Sequence, residues 1–417
     1  MKRIYILMIL TFPVLATLAV MTGCEYDVAE PLWEKTTLQN PSNGPSISSI
    51  TPGEAVPGIN TITINGTHLD MVANDRVFLD DVGNIVIQPE VISITPTSIT
   101  IRRPNFETNG CMIKLNPDSG AVVKFGPYKI SPVIKEYGSF KDNNPLSCLT
   151  VDKAENVYGA LTMPVQPDGR TPFTIYKLTP DENRRTLITL PVIAGLPAIV
   201  PTDMKVGPGG YLYLFRNHKV IQRIDTSTGE IFSWFSISGS KKAMFGDFDA
   251  SGYLYTGGPK SDLWIIGQDS TGKSSGIYDK DSIFAITVAN NYLYVASKTG
   301  NTKYAIYRHT ILSGGDIGVQ ETVLDLTATA YAEERVRSLS ISEDGTMFIG
   351  LLNVDPMLVV SPDGQIDVFY KGIIPLYVDH AAYGTGSLLY VISGNTTPSQ
   401  PWKVFRVDTG KKAALKQ

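Results

Sequence analysis

The stretch Asp247-Phe248-Asp249-Ala250-Ser251-Gly252-Tyr253-Leu254-Tyr255 decides the fold, because it recurs. It reads as an apolar strand, a tight turn of small polar residues and glycine, and a second strand ending in an aromatic. The same rhythm appears at residues 149–158, 204–213, 287–294, 340–348 and 382–390. The closing aromatics Tyr158, Tyr213, Tyr255, Tyr294, Phe348 and Tyr390 are separated by 55, 42, 39, 54 and 42 positions, a period suited to a four-stranded blade. A second apolar segment follows each hairpin, at 175–178, 221–224, 263–266, 306–309, 358–360 and 404–407. Turns such as Pro362-Asp363-Gly364 often come directly after it. One such unit cannot bury both faces of its sheet, so six are expected to close into a ring. Long amphipathic helical patterns are scarce, and the expected class is all-β.

The repeat resembles the NHL-type and gluconolactonase-like six-bladed β-propellers over residues 133–417. Gluconolactonase-like members place carboxylates and an Asn around a central divalent ion. Here Asp203, Asp247 and Asp379 fall near the starts of inner strands, but the other blades offer Cys148, Ala285 and Ser338. No full carboxylate ring emerges. The histidines His68, His218, His309 and His380 have no ligand spacing. Neither a metal nor another cofactor is expected.

Upstream, Ile50-Thr51-Pro52-Gly53, then Gly58, then Ile62-Thr63-Ile64-Asn65-Gly66 resembles the IPT/TIG family of immunoglobulin-like domains. Short strands are expected at 61–65, 76–79, 85–87, 90–94, 98–102, 111–115 and 121–125, a spacing that suits a β-sandwich over residues 45–132. The resemblance implies a spacer or interaction module. Cys111 and Cys148 sit in apolar segments of different expected domains, so two separate buried thiols are expected rather than a disulfide.

The first residues are Met1-Lys2-Arg3 and an apolar run to Thr22, a secretory signal pattern. The run ends in Met21-Thr22-Gly23-Cys24, which resembles a bacterial lipobox. That resemblance implies a signal peptide over 1–23, lipidation of Cys24 and a lipidated tether over 24–44. Several acyl chains anchor stably where one does not. Glu25, Asp27 and Glu30 follow, resembling the signal for surface lipoproteins of Bacteroidetes. The expected location is the outer membrane, facing outward. A formal net charge of −4 without clustered Lys and Arg argues against nucleic acid.

Two catalytic motifs match only in letters. Residues 267–274 fit the phosphate-binding loop expression, but no helical pattern follows to cradle phosphate. Residues 272–276 match a nucleophile elbow without its strand-to-helix context. Both read as turns.

A propeller gathers its second-to-third-strand loops and its blade-to-blade loops on one face. These carry Arg216, His218, Lys298, Asn301, Tyr331, Arg335, Arg337, Tyr377, Asp379, His380 and Trp402. Aromatic faces stack on sugar rings and the polar groups hydrogen-bond hydroxyls or carboxylates. The order of lipid anchor, spacer and distal propeller resembles accessory proteins of polysaccharide-utilisation systems. It implies a non-catalytic binder of oligo- or polysaccharide near an outer-membrane transporter complex. The alternatives are an enzyme acting on sugars or lactones, or a protein-interaction platform in the envelope.

Overall fold

The computed structural model describes residues 44–81, 85–118, 121–138, 145–167, 172–190, 200–239, 241–299, 303–394 and 402–415. Cys24, the segment around it and Asn301 lie outside the described residues. The described chain is all-β, with eight four-stranded antiparallel sheets. Two of them, formed between Ser46 and Ile130, enclose one apolar cluster built from Ile62, Ile64, Leu79, Ile99, Ile101, Cys111 and Ile113. The alternation predicted for residues 61–65 is visible there: Ile62 and Ile64 are fully buried and their neighbours half-buried.

The other six sheets are the blades of a propeller. Blade 1 runs from Leu146 to Leu190, blade 2 from Asp203 to Ser236, blade 3 from Phe245 to Ser274, blade 4 from Asp281 to Asp325, and blade 5 from Val336 to Val368. Each pairs its four strands in chain order. Blade 6 takes three strands, Val378–Tyr383, Leu388–Ser393 and Lys403–Asp408, and borrows its outer one, Ile134–Tyr137, from before blade 1. The two ends of the repeat array thus share one sheet, and hydrogen bonds close the ring. Each innermost strand packs against the next, all the way round.

The repeated aromatic works as a wedge between blades and a clasp for the turn. It lies near the start of the second strand rather than at its end: Tyr158 is in Val157–Thr162 and Tyr255 in Leu254–Gly258. Tyr213 of blade 2 packs on Phe248 of blade 3 at 4.7 Å, and the Tyr390 hydroxyl of blade 6 donates to Glu155 of blade 1 (3.2 Å). The Tyr158 hydroxyl donates to Asp152 Oδ2 (3.0 Å), while Asp152 Oδ1 accepts from the amides of Ala154 and Asn156. Asp249 repeats this device, accepting from the Tyr253 amide and the Tyr255 hydroxyl. An Asp before the turn and a Tyr after it therefore satisfy each other, which is why the pair recurs.

Cys111 and Cys148 are free and buried, one in the N-terminal core and one between blades 1 and 2. Burial pushes the Cys111 thiol up to about 11, and the Cys148 thiol well above its ordinary value. Residues 267–271 form a turn, as expected, but Gly272–Ser274 is the outer strand of blade 3 rather than part of that turn. No helix follows it.

The N-terminal sheets are docked on the ring. The Gly58 amide donates to the Tyr370 hydroxyl (2.6 Å), which donates onward to the Asp408 carbonyl (2.9 Å). Asn60 accepts from the Tyr370 amide and donates to the Val368 carbonyl. Arg102 with Asp367 and Lys371 with Glu90, both at 3.6 Å, flank this seam. Strand register locates the seam on the ring: Lys403 aligns with Ser393 and Val378 at one end of blade 6, and Asp408 with Leu388 at the other. The N-terminal unit therefore holds the end of blade 6 opposite to Val378, Asp379 and His380.

Candidate functional site

At the end of the ring away from that seam, a cavity of about 270 Å³ opens over the central axis. All of its lining comes from the starts of innermost strands, the segments before them and one second-strand end: Ser147 and Thr162 in blade 1, Val200 to Thr202 ahead of blade 2, Met244 and Phe245 at blade 3, Phe284 in blade 4, Arg335 and Arg337 at blade 5, and Asp379 and His380 in blade 6.

A shared backbone device aims these side chains. Four innermost strands slip register by one residue, between Leu146 and Cys148, Ile283 and Ala285, Val336 and Ser338, and Val378 and His380. The residues left unpaired are Ser147, Phe284, Arg337 and Asp379, and all four line the cavity. A bulge frees one residue from the alternation of the pleat and redirects its side chain. Blades 2 and 3 have no such slip in their innermost strands.

Register also corrects which residues occupy equivalent places around the axis. Asp203 pairs with Phe215, two residues beyond the Lys205–Tyr213 pair. The matching positions are Cys148, Phe245, Ala285, Ser338 and His380. Asp247 belongs one layer further in, opposite Tyr255, and Asp379 is a bulge residue, so the three aspartates do not form one level.

A buried polar cluster floors the cavity. Asp203 accepts from Lys205 Nζ (2.7 Å) and from the amides of Met204 and Gly246. His380 Nε2 lies 3.4 Å from Asp203 Oδ1, without hydrogen-bond geometry. His380 comes from blade 6 and Asp203 from blade 2, so their meeting places both at the axis. Burial opposes the charge of Asp203, but Lys205 and then His380 more than offset it, and its carboxyl is held below the usual range. Burial likewise opposes the charge of Lys205, and Asp203 with Asp247 raises it. Asp247 accepts from the amides of Phe248 and Val288. Among the described residues no three His, Cys, Asp or Glu side chains are grouped to hold a metal ion.

The rim carries the unusual electrostatics. Arg337 donates from Nε (2.6 Å) and Nη2 to one oxygen of Asp379. Arg335 lies over the Phe284 ring at 4.5 Å, with its buried Nε lacking a hydrogen-bond partner. Burial first, and Arg337 second, lower the Arg335 guanidinium from its ordinary value. Phe284 packs at 5.7 Å on Tyr304, whose other neighbour is Lys298 Nζ at 4.4 Å from the ring centre. Cation, ring, ring and cation thus form a ladder that fixes Arg335.

Of the residues expected on this face, Arg335, Arg337, Asp379 and His380 come together in the cavity. Lys298 stands behind it through the ladder. Asn301 lies outside the described residues, and the other described ones do not line the cavity. Arg216, half-buried with Nε unpartnered, lies outside the lining. His218 Nδ1 accepts from the Val220 amide (3.1 Å) and serves its own turn. The Tyr331 hydroxyl donates to Asp355 (3.0 Å), with burial first raising it to about 12. Tyr377 sits in the left-handed region with φ of 64°, a positioning strain just before the blade 6 inner strand. Trp402 packs on Gly394, where a Cβ would come within 2.6 Å of the ring. Ser147 and Phe284 are not marked in the sequence because bulges inside strands leave no trace in residue spacing, and Phe245 and Thr162 lie within strands rather than in the loops where ligand contacts are expected.

A second cleft of about 460 Å³ lies beside the N-terminal unit and includes Arg103, Glu107 and Ile373. Arg103 is already committed to the carbonyls of Ala55, Val56 and Ser131, so that cleft offers no spare cation from this residue.

No protein-family model matches the chain, and no curated protein does. Solved structures do. A luciferin-regenerating enzyme matches over 68% of this chain and 97% of its own, at 14% identity and TM-score 0.50. An auxiliary nutrient binding protein from Bacteroides thetaiotaomicron matches over 87% and 98%, at 11% identity and TM-score 0.47. Virginiamycin B lyase from Staphylococcus aureus matches over 66% and 98%, at 13% identity and TM-score 0.43. At such identities the likeness concerns the fold alone, and the chain carries a six-bladed β-propeller.

Proposed function

We propose that this chain is a carbohydrate-binding surface lipoprotein whose binding site is the cavity at the mouth of the propeller channel. The observation that carries the reading is the convergence of Arg335, Arg337, Asp379 and His380 with Phe284 in one open cavity. Planar guanidinium and carboxylate groups hydrogen-bond vicinal hydroxyls, and Phe284 holds Arg335 at the cavity for that purpose. In this reading residues 1–23 are a signal peptide, Cys24 carries lipid in the outer membrane, and residues 24–44 tether the folded part. Residues 45–132 act as an IPT/TIG-type spacer, and 133–417 recognise ligand. Support for the spacer comes from the docking seam, which leaves the cavity at the opposite end of blade 6. Holding saccharide near a transporter raises its local concentration without chemistry. Titration calorimetry of the mature chain against a polysaccharide panel tests this. Binding lost in Arg337→Ala is expected, and uniform absence of binding would overturn it.

One observation favours a second reading. His380 Nε2 lies 3.4 Å from the buried carboxylate of Asp203, a pairing that would orient a general base if it tightened to a hydrogen bond on substrate binding. An enzyme acting on sugars or lactones would show product formation that His380→Gln abolishes, whereas a binder shows affinity and no turnover.

A further inference from the structure

The ionic groups of the cavity are paired except for one. Asp203 and Asp247 face Lys205 at the floor, with His380 beside Asp203, and Asp379 is taken by Arg337 at the rim. Arg335 has no ion pair or hydrogen bond among the described residues, yet its Nε is buried. A guanidinium nitrogen withdrawn from water without a partner is costly. Arg335 as a whole is half-buried, so its other donors stay open to the cavity, and a planar fork of donors matches a carboxylate or sulfate oxygen pair. The aromatic ladder from Lys298 through Tyr304 to Phe284 holds this group at the cavity instead of letting it swing into solvent. Arg337 lowers it further by like charge, a penalty that an incoming anion would relieve.

We propose that the cavity selects ligands bearing an anionic group, carboxylate or sulfate, and that Arg335 is the residue that recognises it. This rests on the saccharide reading above and narrows it to acidic sugars such as uronates or sulfated hexoses.

The test titrates the mature chain with trigalacturonate, the neutral galactose trimer, galactose 6-sulfate and malonate, at low and high salt. Trigalacturonate or the sulfated sugar is expected to bind at least about tenfold more tightly than its neutral counterpart, the loss typical of one charge-assisted hydrogen bond. Which of the two binds identifies the anion. Arg335→Met should erase that preference with the melting temperature retained, and Arg335→Lys should keep part of it and guard against a folding artefact. Equal affinity for neutral and acidic sugars, or an unchanged preference in Arg335→Met, would overturn the proposal while leaving saccharide binding intact. Malonate binding that depends on Arg335, with no sugar bound, would support anion recognition and defeat the saccharide reading. No binding of any anion would overturn the proposal outright.

Discussion

The two ends of the propeller are built from the same six blades and treat polar groups differently. At the end opposite the cavity, turn carboxylates are filled. Asp249 accepts from Tyr253 and Tyr255, and Asp344 from the Ser342 hydroxyl, the Thr346 amide and Lys411. The chain's last described residues lie across this end: the Glu343 amide donates to Lys412, the Ala414 amide to Ile341, and the Asn290 amide to Leu415. At the cavity end, Arg335 Nε, Ser338 Oγ and His380 Nε2 are buried without hydrogen-bond partners and lie close together, whereas at the far end the Thr346 hydroxyl is an isolated case. Folding alone favours the first arrangement. The second makes sense where a ligand supplies the missing partners, so the contrast separates scaffold from site.

If the contrast holds, substitutions at the two ends should affect different measurements. The largest stability effect belongs to the cavity floor, which serves both. Asp203→Ala strands Lys205 in the interior and is expected to cost about 3–5 kcal/mol in urea unfolding, as for one half of a buried pair. Its pH dependence has a fixed sign. The folded carboxyl is held low, so its contribution is fully present above the unfolded value of about 3.9 and fades as pH falls below that. The stability gap between the natural chain and Asp203→Asn should therefore narrow from pH 5 towards pH 2.

Next comes the far end. Asp249→Ala orphans the Tyr255 hydroxyl and a turn amide, and should cost about 1–3 kcal/mol while leaving saccharide affinity unchanged. At the seam, Tyr370→Phe removes the bond to Gly58 and should cost about 1 kcal/mol. Calorimetry should then show the N-terminal sheets and propeller melting less cooperatively. The smallest stability change belongs to the rim: Arg335→Met should stay within about 0.5 kcal/mol of the natural chain while its ligand affinity falls. A rim variant that loses stability, or a far-end variant that loses affinity, breaks the division.

Much of the ring was legible in the chain because blade hairpins repeat a local signal. Asp, a turn, then Tyr is a short-range satisfaction of hydrogen bonds, and short-range patterns survive in sequence. The third strands at 175–178 and 404–407 were visible as apolar runs for the same reason. Closure was less visible: Ile134–Tyr137 joins blade 6 across most of the chain, and nothing in four residues announces a partner that distant. The site was half legible. Arg335, Arg337, Asp379 and His380 were found because they adjoin inner strands, but Phe284 was not, since its exposure at the cavity depends on one slipped pairing. Trp402 and Tyr331 looked like ligand contacts by residue type, yet one fills the space above a glycine and the other bonds Asp355. Residue chemistry suggests what a side chain can do, while register decides where it points.

Hydrogen–deuterium exchange of the mature chain, with and without the tightest saccharide of the panel, tests the division most directly. Protection should concentrate at Phe284, at Arg335 to Arg337 and at Asp379 to His380, with the turns at Asp249 and Asp344 unchanged. Protection confined to those turns, or to the N-terminal sheets, would contradict the assignment of the channel mouth as the recognising end.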